Sequence, residues 1–194
     1  MKGSRGRHNS NMRIIGGQFR GRKLERPLTD DVRPTKDRIR EAVFNIIAEK
    51  IPGSYVLDLY AGSGAFGLEA ASRGAESIFS VDNDPKSVNV IRKNVELLKV
   101  ENAVKIFQED AQIFVEKACK ISNKFDIIFL DPPYNRELAK KTLITICKYD
   151  ILNALGIIVV EHHALEALPE KINDVNLLKQ KTYKETVISI YIKK

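Results

Sequence analysis

Residues 56–67 read Val56-Leu57-Asp58-Leu59-Tyr60-Ala61-Gly62-Ser63-Gly64-Ala65-Phe66-Gly67. An aliphatic run that stops on an acid and breaks into spaced glycines is a buried strand entering a tight loop and then a helix. Gly62, Gly64 and Gly67 satisfy G-x-G-x-x-G, and Asp82 follows twenty residues after Gly62. The glycines let the backbone pass close to a ligand, and a carboxylate closing the next strand can accept both hydroxyls of a ribose.

Outward from this stretch the pattern is regular. Short β-branched runs at 55–59, 77–81, 104–107, 125–130 and 156–160 alternate with helical stretches at 67–73, 85–98, 111–118 and 137–149. Buried strands separated by amphipathic helices predict a parallel sheet with right-handed crossovers. Residues 177–182 and 186–192 are too close for a helix between them, so they should form an antiparallel hairpin. The predicted class is α/β, doubly wound and Rossmann-like, with one reversed strand near the end. Upstream, Pro34 and Thr35 open a helix with Ile39, Ala42, Val43, Ile46 and Ile47 at helical spacing, closed by Pro52-Gly53. Before it, residues 12–24 alternate apolar and basic side chains around glycines and predict a small hairpin. The expected organisation is a disordered leader or tag over 1–11, a basic hairpin and helix over 12–50, and a catalytic domain over 51–194.

A chain of 194 residues fits one ordinary domain, and 43% hydrophobic with 29% charged residues is a globular composition. No run approaches the roughly 20 apolar residues of a membrane span, and residues 1–11 lack the apolar core of a secretory signal. Cys119 and Cys147 form no CxxC pair and read as reduced thiols of a cytoplasmic protein. His8, His162 and His163 have no familiar metal-ligand spacing, so no metal is expected. Net charge is +7, and residues 1–40 alone carry twelve basic side chains, nine of them arginine, against four acids. The guanidinium fork suits phosphate, so this arm reads as a nucleic-acid contact surface, against the plainer reading of a solvated tail.

Any adenosine-containing ligand, whether NAD, FAD or S-adenosylmethionine, suits the glycine loop. Asp58 narrows the choice. An acid four residues before Gly62 repels a pyrophosphate and favours the ammonium and sulfonium of S-adenosylmethionine, unless loop amides simply satisfy it. Asp110 can accept from an adenine amino group, cap the helix that follows, or do both. The tetrapeptide Asp131-Pro132-Pro133-Tyr134 follows the strand at 125–130. Two prolines remove two donors and fix two φ angles, leaving a rigid rim of acceptors backed by an aromatic. This suits alkylation of an exocyclic amine, a poor nucleophile because its lone pair is delocalised. The Asp131 carboxylate and Pro132 carbonyl can hold its N–H bonds while Tyr134 stacks on the ring.

Asp58-Leu-Tyr-Ala-Gly-Ser-Gly64 and Asp131-Pro-Pro-Tyr134 resemble the motifs of class I S-adenosylmethionine-dependent amino-methyltransferases. More narrowly, Arg13-Ile-Ile-Gly-Gly-Gln-Phe-Arg-Gly-Arg-Lys23 and Arg33-Pro-Thr-Lys-Asp-Arg-Ile-Arg-Glu-Ala-Val-Phe-Asn45 are similar to RsmD-type bacterial 16S rRNA guanine-N2 methyltransferases. The resemblance implies a seven-stranded methyltransferase sheet with an antiparallel terminal strand and S-adenosylmethionine as cofactor. It implies cofactor contacts at Asp58, Tyr60, Ala61, Gly62, Gly64, Asp82, Asn83, Asp110, Ala111 and Asp131, with Asp82 on the ribose and Asp110 on the adenine. Asp131, Pro132, Pro133 and Tyr134 would receive the guanine. Arg13, Arg20, Arg22, Lys23, Arg33 and Arg38 would face 16S rRNA, free or in a small-subunit particle, and residues 33–45 would also wall the cofactor site. A monomer is expected. The same tetrapeptide also fits methylation of DNA adenine-N6 or protein glutamine-N5, and the glycine loop alone fits an NAD-dependent oxidoreductase.

Overall fold

Val56 points to one sheet face and Leu57 and Leu59 to the other, and all three are fully buried, so the strand Tyr55–Leu59 (β1) is covered on both faces. The computed structural model describes residues 12–26, 34–134 and 137–194; the expected leader over 1–11 lies outside them. Beyond β1 come the helix Ala65–Ser72 (α2), strand Ser77–Asp82 (β2), helix Pro85–Leu98 (α3) and strand Val104–Gln108 (β3). Next are the helix Ala111–Lys120 (α4), strand Phe125–Leu130 (β4), helix Leu138–Tyr149 (α5) and strand Leu152–His163 (β5). Strands Lys171–Ile172 (β6), Val175–Tyr183 (β7) and Thr186–Lys193 (β8) close the chain, and the helix Pro34–Ile46 (α1) precedes β1. The sheet order is β3-β2-β1-β4-β5-β8-β7-β6. The first five strands of that order are parallel, and β8 enters antiparallel to β5 while pairing β7 on its other side.

Local signals explain the best-matched elements. Asp84 accepts from the amides of Lys86 and Ser87 with Pro85 behind it, so α3 starts where a cap and a fixed φ coincide. Asp110 caps α4 by accepting from Gln112 and Ile113 at 2.9 and 3.2 Å. Val88, Ile91, Val95 and Leu98 fill the inner stripe of α3.

Several expectations need correction. The sheet has eight strands rather than seven, because β6 adds two residues at the edge. The predicted N-terminal hairpin is present as a single antiparallel bridge, Arg13 to Lys23, without extended strands. Helix α2 starts at Ala65, not Gly67, because Gly64 at φ +77° already turns the chain. Strand β5 begins at Leu152, and its register shifts before Ile157, with Ala154 and Leu155 exposed in the irregularity. Helix α1 ends at Ile46, and a 3-10 turn over Ala48–Lys50 leads to Pro52-Gly53.

The core has two halves, one on each sheet face. Leu57, Leu59, Ile128, Leu130, Val160 and Tyr191 belong to one, under α4 and α5. Val56, Ile127, Phe129, Val159, Ile188 and Ile190 belong to the other, together with Ile14 and Leu24 of the arm and Ile39, Val43 and Phe44 of α1. On this second face Phe44, Phe66 and Phe129 form a ring cluster with centroids 4.9–6.1 Å apart, which holds α1 beside the carboxyl end of β4.

Candidate active site

The candidate ligand residues follow the sheet order along one rim. Asp58 to Gly64 close β1, Asp82 and Asn83 close β2, Asp110 and Ala111 follow β3, and Asp131 follows β4. The chain reverses out of β1 through Tyr60, Gly62 and Gly64 at φ +58°, +57° and +77°. Around a Cβ at Gly62 the nearest atom would be the Tyr60 carbonyl oxygen at 4.0 Å, so conformation rather than crowding requires glycine there. At Gly67 the reason is packing: a Cβ would meet Ile78 at 2.8 Å and the Asp58 carboxylate at 3.1 Å. The loop is braced by its neighbour strand, since Gly62 N–H donates to Asp82 Oδ2 at 2.8 Å. Asp84 N–H donates to the other oxygen at 2.9 Å. Tyr60 is half-buried and its hydroxyl pairs with Thr142 of α5 at 2.9 Å.

Asp58 is 2% exposed and accepts from Gly67 N–H at 2.9 Å. Burial pushes its carboxyl up to about 7; the Gly67 amide opposes the shift and the nearby Asp82 charge adds to it. The Gly67 amide satisfies one Asp58 oxygen, as the plainer expectation for this acid had it. Asp110 both caps α4 and lies close enough for its charge to raise the Tyr60 phenol, already raised chiefly by burial.

At the β4 end Asp131 is half-buried, Pro132 buried and Pro133 exposed. Tyr134 donates its hydroxyl to Glu161 Oε1 at 2.9 Å, and Thr186 Oγ1 lies 2.9 Å away on its other side. The His163 ring meets its edge at a centroid distance of 5.7 Å. Burial, then the Glu161 charge, drive the Tyr134 phenol far above its ordinary range. Phe66, Phe129, Leu130, Asp131, Val159 and Glu161 line a narrow cleft at this rim. Glu161 and Thr186 escaped the sequence reading. Glu161 carried a legible signal, an acid ending a buried strand at the ligand rim, as Asp58 and Asp82 do. Thr186 carried none, because only the return of β8 beside β5 brings it here.

The basic arm is held by buried acids and amides. Glu69 of α2, fully buried, accepts from Ile15 N–H and Gly16 N–H at 2.7 Å each and pairs with Arg73 at 2.8 Å and Arg40 at 3.9 Å. Ser72 accepts from Phe19 N–H at 3.0 Å and donates to Gly16 O at 2.6 Å. Asn94, also fully buried, brackets Glu25 with both amide atoms and donates to Ser63 O of the glycine loop at 2.9 Å. The hairpin therefore lies along α2, base at the glycine loop and tip at Ser72, one eight-residue helix or about 12 Å away. Arg13, Arg20, Arg22, Lys23 and Arg38 are exposed, Arg40 is buried against Glu69, Asp37 and the Arg13 carbonyl, and Arg33 lies outside the described residues. No sequence signal marked Glu69; Asn94 was visible only as a polar residue in the apolar stripe of α3. Among the described residues no group of three or more His, Cys, Asp or Glu could hold a metal ion, and no helix is long and apolar enough to cross a membrane.

A doubly wound sheet with a reversed strand, a glycine loop and acids at successive strand ends defines the methyltransferase type of Rossmann fold. The family model described as conserved hypothetical protein 95 matches residues 12–192. Ribosomal RNA small subunit methyltransferase D of Escherichia coli (strain K12) is 35% identical over 180 residues, 93% of this chain and 89% of its own length. The chain belongs to that ribosomal RNA small subunit methyltransferase D family. The solved structure of yhhF from Escherichia coli superposes with a TM-score of 0.82 at 33% identity, covering 94% of this chain and 98% of that one. SMU.776, solved complexed with SAH, shares the fold at a TM-score of 0.66 and 18% identity, covering 83% of this chain and 50% of its own.

Proposed function

We propose that this protein is an rRNA methyltransferase that moves a methyl group from S-adenosylmethionine to the exocyclic N2 amino group of one guanine in 16S rRNA. The observation that carries the reading is the Asp131-to-Tyr134 loop, stiffened by two prolines and pinned through Tyr134 to Glu161 and Thr186. It stands next to β1 and its glycine loop at one rim.

The residues fit the donor. A buried carboxyl with its pKa pushed up to about 7 gains from a cation, as the donor's ammonium would provide. The open space at Gly62 fits close approach of a ligand to backbone. Asp58 would hold the amino acid end between Tyr60 and Gly64, Asp82 the ribose and Asp110 the adenine, with Ala61, Asn83 and Ala111 walling the site. Asp82 keeps lone pairs for hydroxyls even while accepting two amides. S-adenosylmethionine supplies an electrophilic methyl carried on sulfur.

The chain's own part is positioning. Asp131 and the Pro132 carbonyl accept the amine N–H bonds, which favours a pyramidal nitrogen and stabilises positive charge as it develops. Pro132 and Pro133 keep those acceptors from drifting. Tyr134, its hydroxyl tied back, offers a fixed ring face to the base. Arg13, Arg20, Arg22, Lys23, Arg33 and Arg38 would meet phosphates.

The test offers methyl-labelled donor to naked 16S rRNA, assembled small subunits and DNA. N2-methylguanosine in rRNA is the expected product, and N6-methyladenine in DNA or N5-methylglutamine in protein overturns the assignment. Asp131→Ala should lower the single-turnover rate at least about a hundredfold, as positioning losses do, while donor binding by calorimetry persists. A near wild-type rate in that variant removes Asp131 from the mechanism.

A further inference from the structure

Strand β7 is exposed over residues 178–182, and its register fixes which side chains share a face. Lys179 pairs with Ile190 and Lys181 with Ile188, and both isoleucines belong to the core half that includes Phe129 and Val159. Lys179, Lys181 and Tyr183 therefore stand on the sheet face that also carries α1 and the Asp131–Glu161 cleft. The alignment with the cleft is direct. Glu161 of β5 pairs with Ile188 of β8, and Ile188 pairs with Lys181, so the three form one row across the sheet. With strands about 4.8 Å apart, Lys181 lies about 10 Å from Glu161 along that row.

The ammonium of Lys181 sits 5.2 Å from the centroid of the half-buried Tyr183 ring. Among the described residues no carboxylate pairs with Lys179, Lys181 or the turn residue Lys184, although Glu185 shares that turn. By contrast Lys193, at the other end of the hairpin, is engaged by Asp150 and Asp174. The hairpin also reaches the catalytic loop, since Thr186 contacts the Tyr134 hydroxyl and Glu185 O accepts from Ala164 N–H at 2.8 Å.

We propose that the face of β7 built from Lys179, Lys181 and Tyr183 is a second RNA-contact surface that holds phosphates of nucleotides flanking the target base. The basic arm lies on the far side of the cleft, along α2. The RNA strand is thus gripped on both sides of the base it presents, and β7 grips it on the side nearer the catalytic loop. Lysines without acidic partners, a cation-bearing aromatic and a spacing of about 10 Å suit a single-stranded backbone with a base free to stack. The inference rests on the RNA substrate proposed above.

The double variant Lys179→Gln/Lys181→Gln tests it, against the charge-matched Lys99→Gln/Lys148→Gln. Lys99 follows α3 and Lys148 lies in the last turn of α5, at the helix ends that lead into β3 and β5, away from the rim that carries the glycine loop. Affinity for 16S rRNA is measured by filter binding across a salt series, with donor affinity by calorimetry and the rate at saturating RNA by single turnover. The β7 variant should bind rRNA roughly tenfold more weakly, with a log–log salt slope shallower by about 1.4, as two lost contacts to a single strand give. Donor affinity and saturating rate should stay within about twofold, since phosphate contacts position rather than react. An unchanged affinity and slope, or an equal loss in the control, overturns the β7 surface alone. A wild-type protein that neither binds nor methylates rRNA overturns the substrate assignment and this inference together.

Discussion

Burial keeps the Asp58 carboxyl protonated up to about pH 7 in the ligand-free protein, whereas an unfolded chain ionises aspartate near about pH 4. The folded state thus binds the extra proton between those values. The stability this group contributes is complete below about pH 4 and lost as pH rises through about 7. Asp58→Asn should therefore leave the ligand-free protein more stable than wild type at pH 8, with the difference shrinking toward pH 5. Donor binding has the opposite sense, because an ammonium favours the anion. Wild-type affinity should rise from pH 6 to 8 with proton release, read as a buffer-dependent binding enthalpy, and the Asn variant should bind weakly with neither trend. A pH-independent wild-type affinity removes Asp58 from the ammonium site. At this scale the sequence was informative about placement, since Asp58, Asp82 and Asp131 all stand at strand ends on one rim. It was silent on Thr186, whose partner is 52 residues away.

The arm shows what an element costs when its partners are distant in sequence. Gly16 and Gly17 read as turn residues, yet a Cβ at Gly16 would strike the Arg73 guanidinium at 2.3 Å. At Gly17 a Cβ would strike the Ser72 carbonyl oxygen at 1.9 Å. Gly21, at φ +84°, has nothing within 4 Å of such a Cβ. Gly21→Ala should cost only the left-handed strain, about 1–2 kcal/mol. Gly17→Ala should cost more, by displacing the hairpin from α2. Glu69→Gln removes the anion shared by Arg40 and Arg73 and weakens two loop amide bonds, so about 3–5 kcal/mol should be lost. Urea midpoints at unchanged m-value rank the three, and equal losses for Gly17→Ala and Gly21→Ala contradict the packing account. Helix α3, with its cap and proline start, and strand β1, a continuous aliphatic run, were legible to the residue because their determinants are local. Strand β6 has too few residues to show any alternation, and the start of β5 is set by its pairing to β4.

Across the whole molecule the parallel class follows from short hydrophobic runs separated by amphipathic helices, which explains why the fold class was plain from the sequence. The reversed hairpin was also plain, from the short gap between its strands. Which strand slips in beside β5 is a matter of non-local pairing, and with it went the Glu161–Tyr134–Thr186 cluster.

The hairpin's fastening has a bearing on engineering. Residues 12–26 are stitched to positions 69, 72 and 94, on two helices that also carry and brace the glycine loop. They cannot be traded between relatives as a free-standing cassette. A chimera that imports this segment alone should melt well below either parent, and one that imports the matching side chains at 69, 72, 73 and 94 should regain most of the difference. Thermal denaturation of the two hybrids decides it, and equal melting temperatures would mean the seam lies elsewhere.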